Sequence, residues 1–383
     1  VCTGWPAQQR RKPLAALCAT VDSVPLRAGC GLSALLLLLC VVQLSAHTVR
    51  IGVLGITHPK QLTLSCTADN SLVVNADGRT RYLEPGSKTG TVQIRISQNA
   101  MYVNIADQEF RAETFRAFGR DAQAAPFVLG VPGEIERRYY GSLEIKMNAG
   151  ELEPIVTMDP ELAVAAIVQA EAIPQGPREA LQAQAVVTRS YLFAGARHHG
   201  DFDFCDLTHC QVLQELPDPQ SRVMLAVIAT RNLVITYRGK IVAAMFTRSC
   251  AGHTATPRQI GIPSREYPYF PVLCRICHEH PVRWSYTVSP NDAESLSAHT
   301  ESARLAIDRR LGWNAIRSNS FTEHRKNAAT NIEGIGQGHG VGLCQRGATE
   351  MAQQHATFNE IIAHYFPGTQ LQHAPTSGLL AAK

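Results

Sequence analysis

Charge is scarce in this sequence. Only 18% of its 383 residues are Asp, Glu, Lys or Arg, the formal net charge is +4, and no five like charges stand in a row. Proteins that grip nucleic acid concentrate basic side chains on one face, so that class of partner is set aside. Long apolar runs are lacking as well. The stretch Leu35 to Leu39, extended by Cys40, Val41 and Val42, falls short of the ~20 apolar residues that span a bilayer. No Gly-Lys-Ser/Thr step exists for a P-loop, and no third glycine falls at the spacing of a dinucleotide-binding turn, so no nucleotide cofactor is expected. Internal repeats and βαβ alternation are absent too, which excludes solenoid and doubly wound architectures. What is present is an ordinary apolar share of 45%, enough to build a folded core in a length that suits about two domains.

The small positive charge is unevenly placed. Residues 1–46 hold Arg10, Arg11, Lys12 and Arg27 against the single acid Asp22. The short apolar run follows, then Leu44-Ser45-Ala46 with small residues at its exit. Basic flank, short apolar core and small-residue exit predict a secretory signal peptide over 1–46, cleaved near Ala46, and an exported protein of the periplasm or cell wall. No stable membrane span is expected after cleavage. Four of the 11 cysteines (Cys2, Cys18, Cys30, Cys40) fall in that segment. Seven remain, and an odd number cannot all pair within one chain, so thiols or metal ligands are expected even in an oxidising space.

Residues 47–137 read as a β-rich region. Thr48–Val53, Thr91–Ile96 and Met101–Ile105 alternate apolar with polar residues, and Asn75-Ala76-Asp77-Gly78 and Pro85-Gly86 are turns. Ala112 to Pro132 is less regular and reads as a linker or loop. From 138 to 372 the pattern becomes mixed α+β, with a tail over 373–383. Strands near Leu143–Met147 and Glu153–Met158 lead to Asp159-Pro160-Glu161, a helix start, and a helix to about Ala172. Further helices are predicted over Arg178–Ala196, Ser221–Asn232 and Gln345–Gln354, with a last one after the capping-box spacing Thr357–Glu360. A hairpin is predicted from Leu233–Tyr237 and Lys240–Thr247.

Four groups carry potential chemistry. Glu171 is the sole acid between Glu161 and Glu179. It falls in the last turn of its helix, where the helix dipole and apolar neighbours both oppose ionisation. Such a carboxyl can act as a general acid, or it is a solvated acid at a helix end. The segment Gly334 to Gly342 alternates glycine with other residues and places His339 at its centre, either as a close-approach site for a ligand or as a tight turn. Within twelve residues, His199, Cys205, His209 and Cys210 offer two thiolates and imidazole nitrogen, a donor set that suits structural zinc, with a Cys205–Cys210 disulfide the alternative. Cys250 with Cys274-Arg-Ile-Cys277, near His253, His278 and His280, is either a metal hook or a disulfide or redox pair.

In order, these pieces resemble the stage II sporulation protein D / amidase-enhancer (SpoIID/LytB) family, from about Tyr139 to Leu371. The resemblance rests on Glu171 followed by Glu179-Ala-Leu-Gln-Ala-Gln-Ala-Val-Val-Thr-Arg189-Ser190-Tyr191, on Asp206-Leu-Thr208-His-Cys-Gln211-Val212, on Ser249-Cys250-Ala251-Gly252-His253-Thr254, on Gly338 to Ala348 and on Ile361 to Thr369. It implies an α+β domain with a glycan-binding cleft and a peptidoglycan lytic transglycosylase that cuts MurNAc-GlcNAc bonds of peptide-stripped strands to 1,6-anhydro products. It makes Glu171 catalytic and His199, Cys205 and Cys210 zinc ligands. With Glu171 as the acid, Arg189, one helix later, is expected to bind an acidic or hydroxylated sugar group, and Ser249, His339 and Gln345 to bind substrate along the cleft. The other role it implies is a non-catalytic, wall-binding enhancer of an N-acetylmuramoyl-L-alanine amidase. The sequence departs from the family pattern at Ala172-Ile173, at Cys250, Ala251 and His253, and at Gln337 and Arg346, where tryptophans are usual.

Overall fold

A computed structural model describes residues 48–374, apart from Lys88, Pro174, residues 196–198, His209, residues 265–266 and residues 327–328. The expected export segment 1–46 and residues 375–383 of the expected tail lie outside the described residues.

A twelve-stranded, largely antiparallel sheet dominates the first half. Its main path runs Phe204–Cys205, Val49–Gly52, Glu151–Met158, Ile135–Asn148, Ala125–Val131, Gln61–Cys66, Thr91–Ser97, Ala100–Ile105 and Gln108–Ala112. The long strand Ile135–Asn148 changes partner along its length. Its first half pairs with Ala125–Val131, and Leu143–Ile145 pair with Phe115–Phe118. The stretch Ala112–Pro132, expected as a linker or loop, therefore contains two strands. Phe115–Phe118 is too short to show a pattern, and in Ala125–Val131 the consecutive buried residues Leu129, Gly130 and Val131 break the alternation.

Eight helices follow among the described residues. They are α1 (Pro160–Glu171), α2 (Arg178–Phe193), α3 (Arg222–Ala229), α4 (Arg275–Glu279), α5 (Pro290–Leu296), α6 (Glu301–Leu311), α7 (Gln345–Gln353) and α8 (Phe358–Tyr365). The architecture is α+β with a β-rich first part. Local chemistry explains the helix starts. The Asp159 carboxylate accepts from the N–H groups of Glu161 and Leu162, with Pro160 at the first position. Thr357 and Glu360 form the reciprocal capping box that begins α8.

Helix α2 is the pillar of the second half. Twelve of its sixteen residues are buried. Leu181, Ala185 and Leu192 face the core under the large sheet, while Ala180, Ala183, Val186 and Val187 face a second core built from residues 233–272 and 341–366. A third, smaller core under α5 and α6 gathers Trp284, Ile307, Ile316 and Ile332. The expected hairpin after α3 is shorter than its pattern. Leu233–Tyr237 pairs with Lys240–Ile241 alone and takes Gln370–His373 as its other neighbour. Val242 and Ala244 turn into the second core, and Phe246–Thr247 pairs instead, in parallel, with Leu343–Cys344.

Arg189 departs from its expected role as a sugar ligand. The side chain has no exposed surface. Its Nε and Nη2 donate to both carboxylate oxygens of Glu161 at 2.7 Å, and its remaining donors reach the carbonyls of Leu233 and Val227. A fully desolvated guanidinium needs this complete set of acceptors, and a substrate has no route to it. We predict that Arg189→Ala lowers the unfolding free energy by about 3–5 kcal/mol in urea titrations, because Glu161 is left without its partner. Arg189→Lys should recover only part of the loss, since an ammonium cannot bridge both oxygens. An unchanged midpoint in Arg189→Ala would remove the pair from this role.

Candidate functional site

Helix α1 stops after Glu171, and its end is held by side chains from far along the chain. Gln345 Nε2 donates to the Glu171 carbonyl at 2.8 Å, and Arg248 Nη1 donates to the same oxygen at 3.2 Å. Arg248 also donates to Gln345 Oε1, and Gln345 Nε2 approaches Gln184 Oε1 on α2. Helix ends leave carbonyls without intrahelical partners, and here two side chains supply the missing donors.

The Glu171 carboxyl has a different partner. The backbone N–H of Val212 donates to Oε1 at 2.9 Å. Desolvation pushes the Glu171 pKa up, against the opposing pull of the Val212 N–H and the Arg248 charge. One oxygen is thus held as an acceptor, and the other is free to carry a proton. The neighbouring recess, bordered by Ala172, Ile173, Gln184, Gln345 and Ala348, has a cavity volume of about 10 Å³, room for about one water.

Val212 belongs to the loop that holds the first metal-ligand group. Phe204–Cys205 adds to the large sheet as an edge strand, parallel to Ile51–Gly52. Asp206 fastens the turn beyond it: its Oδ2 accepts from the Leu54 N–H at 2.9 Å and from Arg137 at 3.1 Å. Burial pushes the Asp206 pKa up to about 6 despite these donors. In that frame, ligand atoms of His199, Cys205 and Cys210 lie within 4.8 Å of one another, with Cys210 Sγ 3.5 Å from His199 Nε2. His209 lies outside the described residues.

The glycine segment is zipped along residues 245–255. Ser249 and Gln337 exchange backbone hydrogen bonds, Ala255 N–H donates to Gly340, and Leu343 N–H donates to Met245. Gly342 shows why glycine recurs there: φ is 75°, and a Cβ would stand 2.0 Å from the Met245 carbonyl oxygen. His339 is half-buried within this segment. Its Nδ1 accepts from the Val341 N–H at 3.0 Å, and desolvation lowers its pKa, so the ring is neutral with its proton on Nε2. Ser249 is 3% exposed, and its hydroxyl faces Cys277 Sγ at 3.4 Å.

Of the expected site residues, Glu171 and Gln345 meet directly, and His199, Cys205 and Cys210 converge beside them through Val212. Arg189 grips Glu161 in the first turn of α1, about 15 Å along the helix from Glu171. Ser249 and Arg189 lack the open face that a sugar ligand needs. Arg248 was missed. It stands one residue before the recognisable Ser249–Thr254 stretch, and nothing local marks an arginine that caps a helix 77 positions away. Cys344 was missed too. It joins Cys250, Cys274 and Cys277 in one buried group.

A family model described as stage II sporulation protein matches residues 148–237. Residues 148–237 carry a SpoIID domain. The matched span includes Glu171 and the whole His199–Cys210 loop, and the SpoIID family is associated with cell-wall lysis. The chain is also similar to an uncharacterized protein of Brachyspira hyodysenteriae, 29% identical over 267 residues, which cover 61% of this chain and 72% of that protein. No helix among the described residues is long and apolar enough to cross a membrane.

The raised Glu171 pKa has a stability consequence with a definite sign. Between the unfolded and folded pKa the native state binds more protons, so this group's contribution falls as pH rises through that window. Glu171→Gln should therefore unfold at an equal or higher denaturant concentration than the wild type at neutral pH. The difference should fade on acidification below the ordinary carboxylate range. A variant clearly less stable at neutral pH would contradict the desolvated carboxyl.

Proposed function

We propose that the chain is an exported lytic transglycosylase acting on peptidoglycan glycan strands, with Glu171 as its acid–base residue. The observation that carries this is the desolvated carboxyl with one oxygen fixed by Val212 N–H. The free oxygen of protonated Glu171 delivers its proton to the oxygen linking MurNAc to GlcNAc, and the bond from the anomeric carbon to that oxygen breaks. The carboxylate then takes the proton of the muramic C6 hydroxyl as that oxygen bonds to the anomeric carbon. The product is a 1,6-anhydro ring, and no water is consumed. One carboxyl suffices, unlike the paired carboxyls of hydrolases that must activate water or form a glycosyl-enzyme. Arg248 stabilises the carboxylate between the two transfers, and Gln345 holds the helix end that aims it.

The donor set His199, Cys205 and Cys210 fits zinc in ligand type and convergence. Zinc bound there supplies a cross-link that holds the loop carrying Val212 against Glu171. Asp206, Arg137 and the strand Val49–Gly52 brace the same loop from the sheet side.

In the second reading, this surface binds glycan without cutting it and stimulates a separate amidase. Digestion of denuded glycan followed by mass spectrometry separates the two. The wild type should release anhydro-muramyl ends, and Glu171→Gln should lose about a hundred- to ten-thousand-fold of that activity. Full activity in Glu171→Gln would refute the catalytic assignment. No release by the wild type, with faster cleavage by an added amidase, would establish the enhancer. For the loop, His199→Ala and Cys205→Ser should each remove one zinc per chain by elemental analysis, and an unchanged zinc content would remove that site.

A further inference from the structure

The second cysteine group is more complete than its spacing predicts. Cys250 follows the short strand Phe246–Thr247, Cys274 and Cys277 lie one turn apart at α4, and Cys344 stands immediately before α7. Each is at most 1% exposed. Their four Sγ atoms all lie within 4.8 Å of one another, and those of Cys277 and Cys344 are 3.6 Å apart. Residues 250, 274, 277 and 344 come from three separate stretches of chain, yet the four sulfurs share one point.

We propose that Cys250, Cys274, Cys277 and Cys344 form a tetrathiolate site for a single zinc ion. Zinc–thiolate bonds of about 2.3 Å in a tetrahedron give sulfur–sulfur edges of about 3.8 Å, close to the 3.6 Å between Cys277 and Cys344 and inside the 4.8 Å that bounds all four. A polynuclear iron–sulfur cluster places its thiolates outside several metal atoms and needs a wider cage. Four sulfur donors with no oxygen ligand select a soft or borderline metal in tetrahedral geometry. Zn²⁺ replaces the four thiol protons, which pass to solvent, and leaves a buried site of net charge −2. The surroundings answer that charge with hydrogen-bond donors. Cys250 N–H points at Cys344 Sγ (3.4 Å), the Ser249 hydroxyl at Cys277 Sγ (3.4 Å) and the Tyr365 hydroxyl at Cys274 Sγ (3.5 Å). Gly347 follows from the same crowding, because a Cβ there would stand 2.5 Å from Cys274 Sγ and 2.0 Å from the Tyr365 hydroxyl.

The site has a structural purpose that does not depend on the glycan reading. It ties Cys250 to Cys344. Two residues before Cys250 is Arg248, and one residue after Cys344 is Gln345. These are the two side chains that hold the Glu171 carbonyl. The ion therefore fastens both arms of that clamp to α4 and to each other.

The test uses the full chain, purified with reductant and without chelator, its zinc measured by elemental analysis and then exchanged for Co²⁺. Wild type and Cys66→Ser should contain equal zinc, and Cys344→Ser and Cys274→Ser should each contain one ion fewer. Loss of a buried ligand can also unfold the chain, so the deciding measurement is made on the His199→Ala protein with all four of these cysteines present. Loaded with Co²⁺, it should show the intense thiolate-to-cobalt charge transfer and the tetrahedral ligand-field bands of an all-sulfur site. A Co²⁺ spectrum without thiolate bands would overturn the proposal. So would four cysteines that, in a second preparation purified without reductant, resist alkylation in denaturant until reduced, which would mark two disulfides, or iron accompanied by acid-labile sulfide.

Discussion

The contact on which the site depends is the capture of one helix end. A carboxyl at the last turn of α1 is useful as an acid only if it is dry, held and reachable by a proton acceptor. Partial burial raises the cost of ionisation, the Val212 N–H holds one oxygen, and the other oxygen accepts no hydrogen bond among the described residues. None of this works unless the helix terminus itself is fixed. Arg248 and Gln345 fix it through the backbone carbonyl rather than through the Glu171 carboxyl. The positive charge of Arg248 thus lies near the carboxylate without forming an ion pair that would tie it up.

The rest of the molecule serves to bring those parts together. Helix α2 is buried on two sides because it separates two cores, and Arg189 is the polar bolt at its centre, bonding α1 through Glu161. The large sheet contributes more than bulk. Its strand Val49–Gly52 is the template on which Phe204–Cys205 pairs, so the first part of the chain shapes the loop that touches Glu171. A β-rich region without any recognisable motif acquires a role through backbone pairing along Val49–Gly52 and through the Arg137 side chain that holds Asp206.

Much of this was legible in the sequence. The Asp159-Pro160 start, the Thr357–Glu360 box and the α+β character follow from local capping and periodicity, which act within a few residues. Glu171 stood out because it is a lone acid in an apolar helix end, and the His199–Cys210 group because its donors are close in sequence. Arg189 misled for a physical reason. An arginine one helix from a candidate acid reads as a ligand for an acidic or hydroxylated sugar group, whereas full burial against Glu161 is decided by what packs over it. The strands within Ala112–Pro132 were hidden because Phe115–Phe118 is only four residues long and because three consecutive buried residues end Ala125–Val131 and break its alternation.

The sequence by itself therefore determined where helices begin, which carboxyl is chemically distinctive, and that two cysteine groups exist. These are properties of neighbouring residues and of side-chain chemistry. Only the tertiary structure decided that Arg248 caps α1, that Ser249 and Arg189 face inward, and that Cys344 completes the buried group of four. Each of those depends on the packing of segments separated by about 30 to 100 residues or more. Such meetings are chosen by the burial of whole helix faces and sheet edges, and no short window of sequence encodes them.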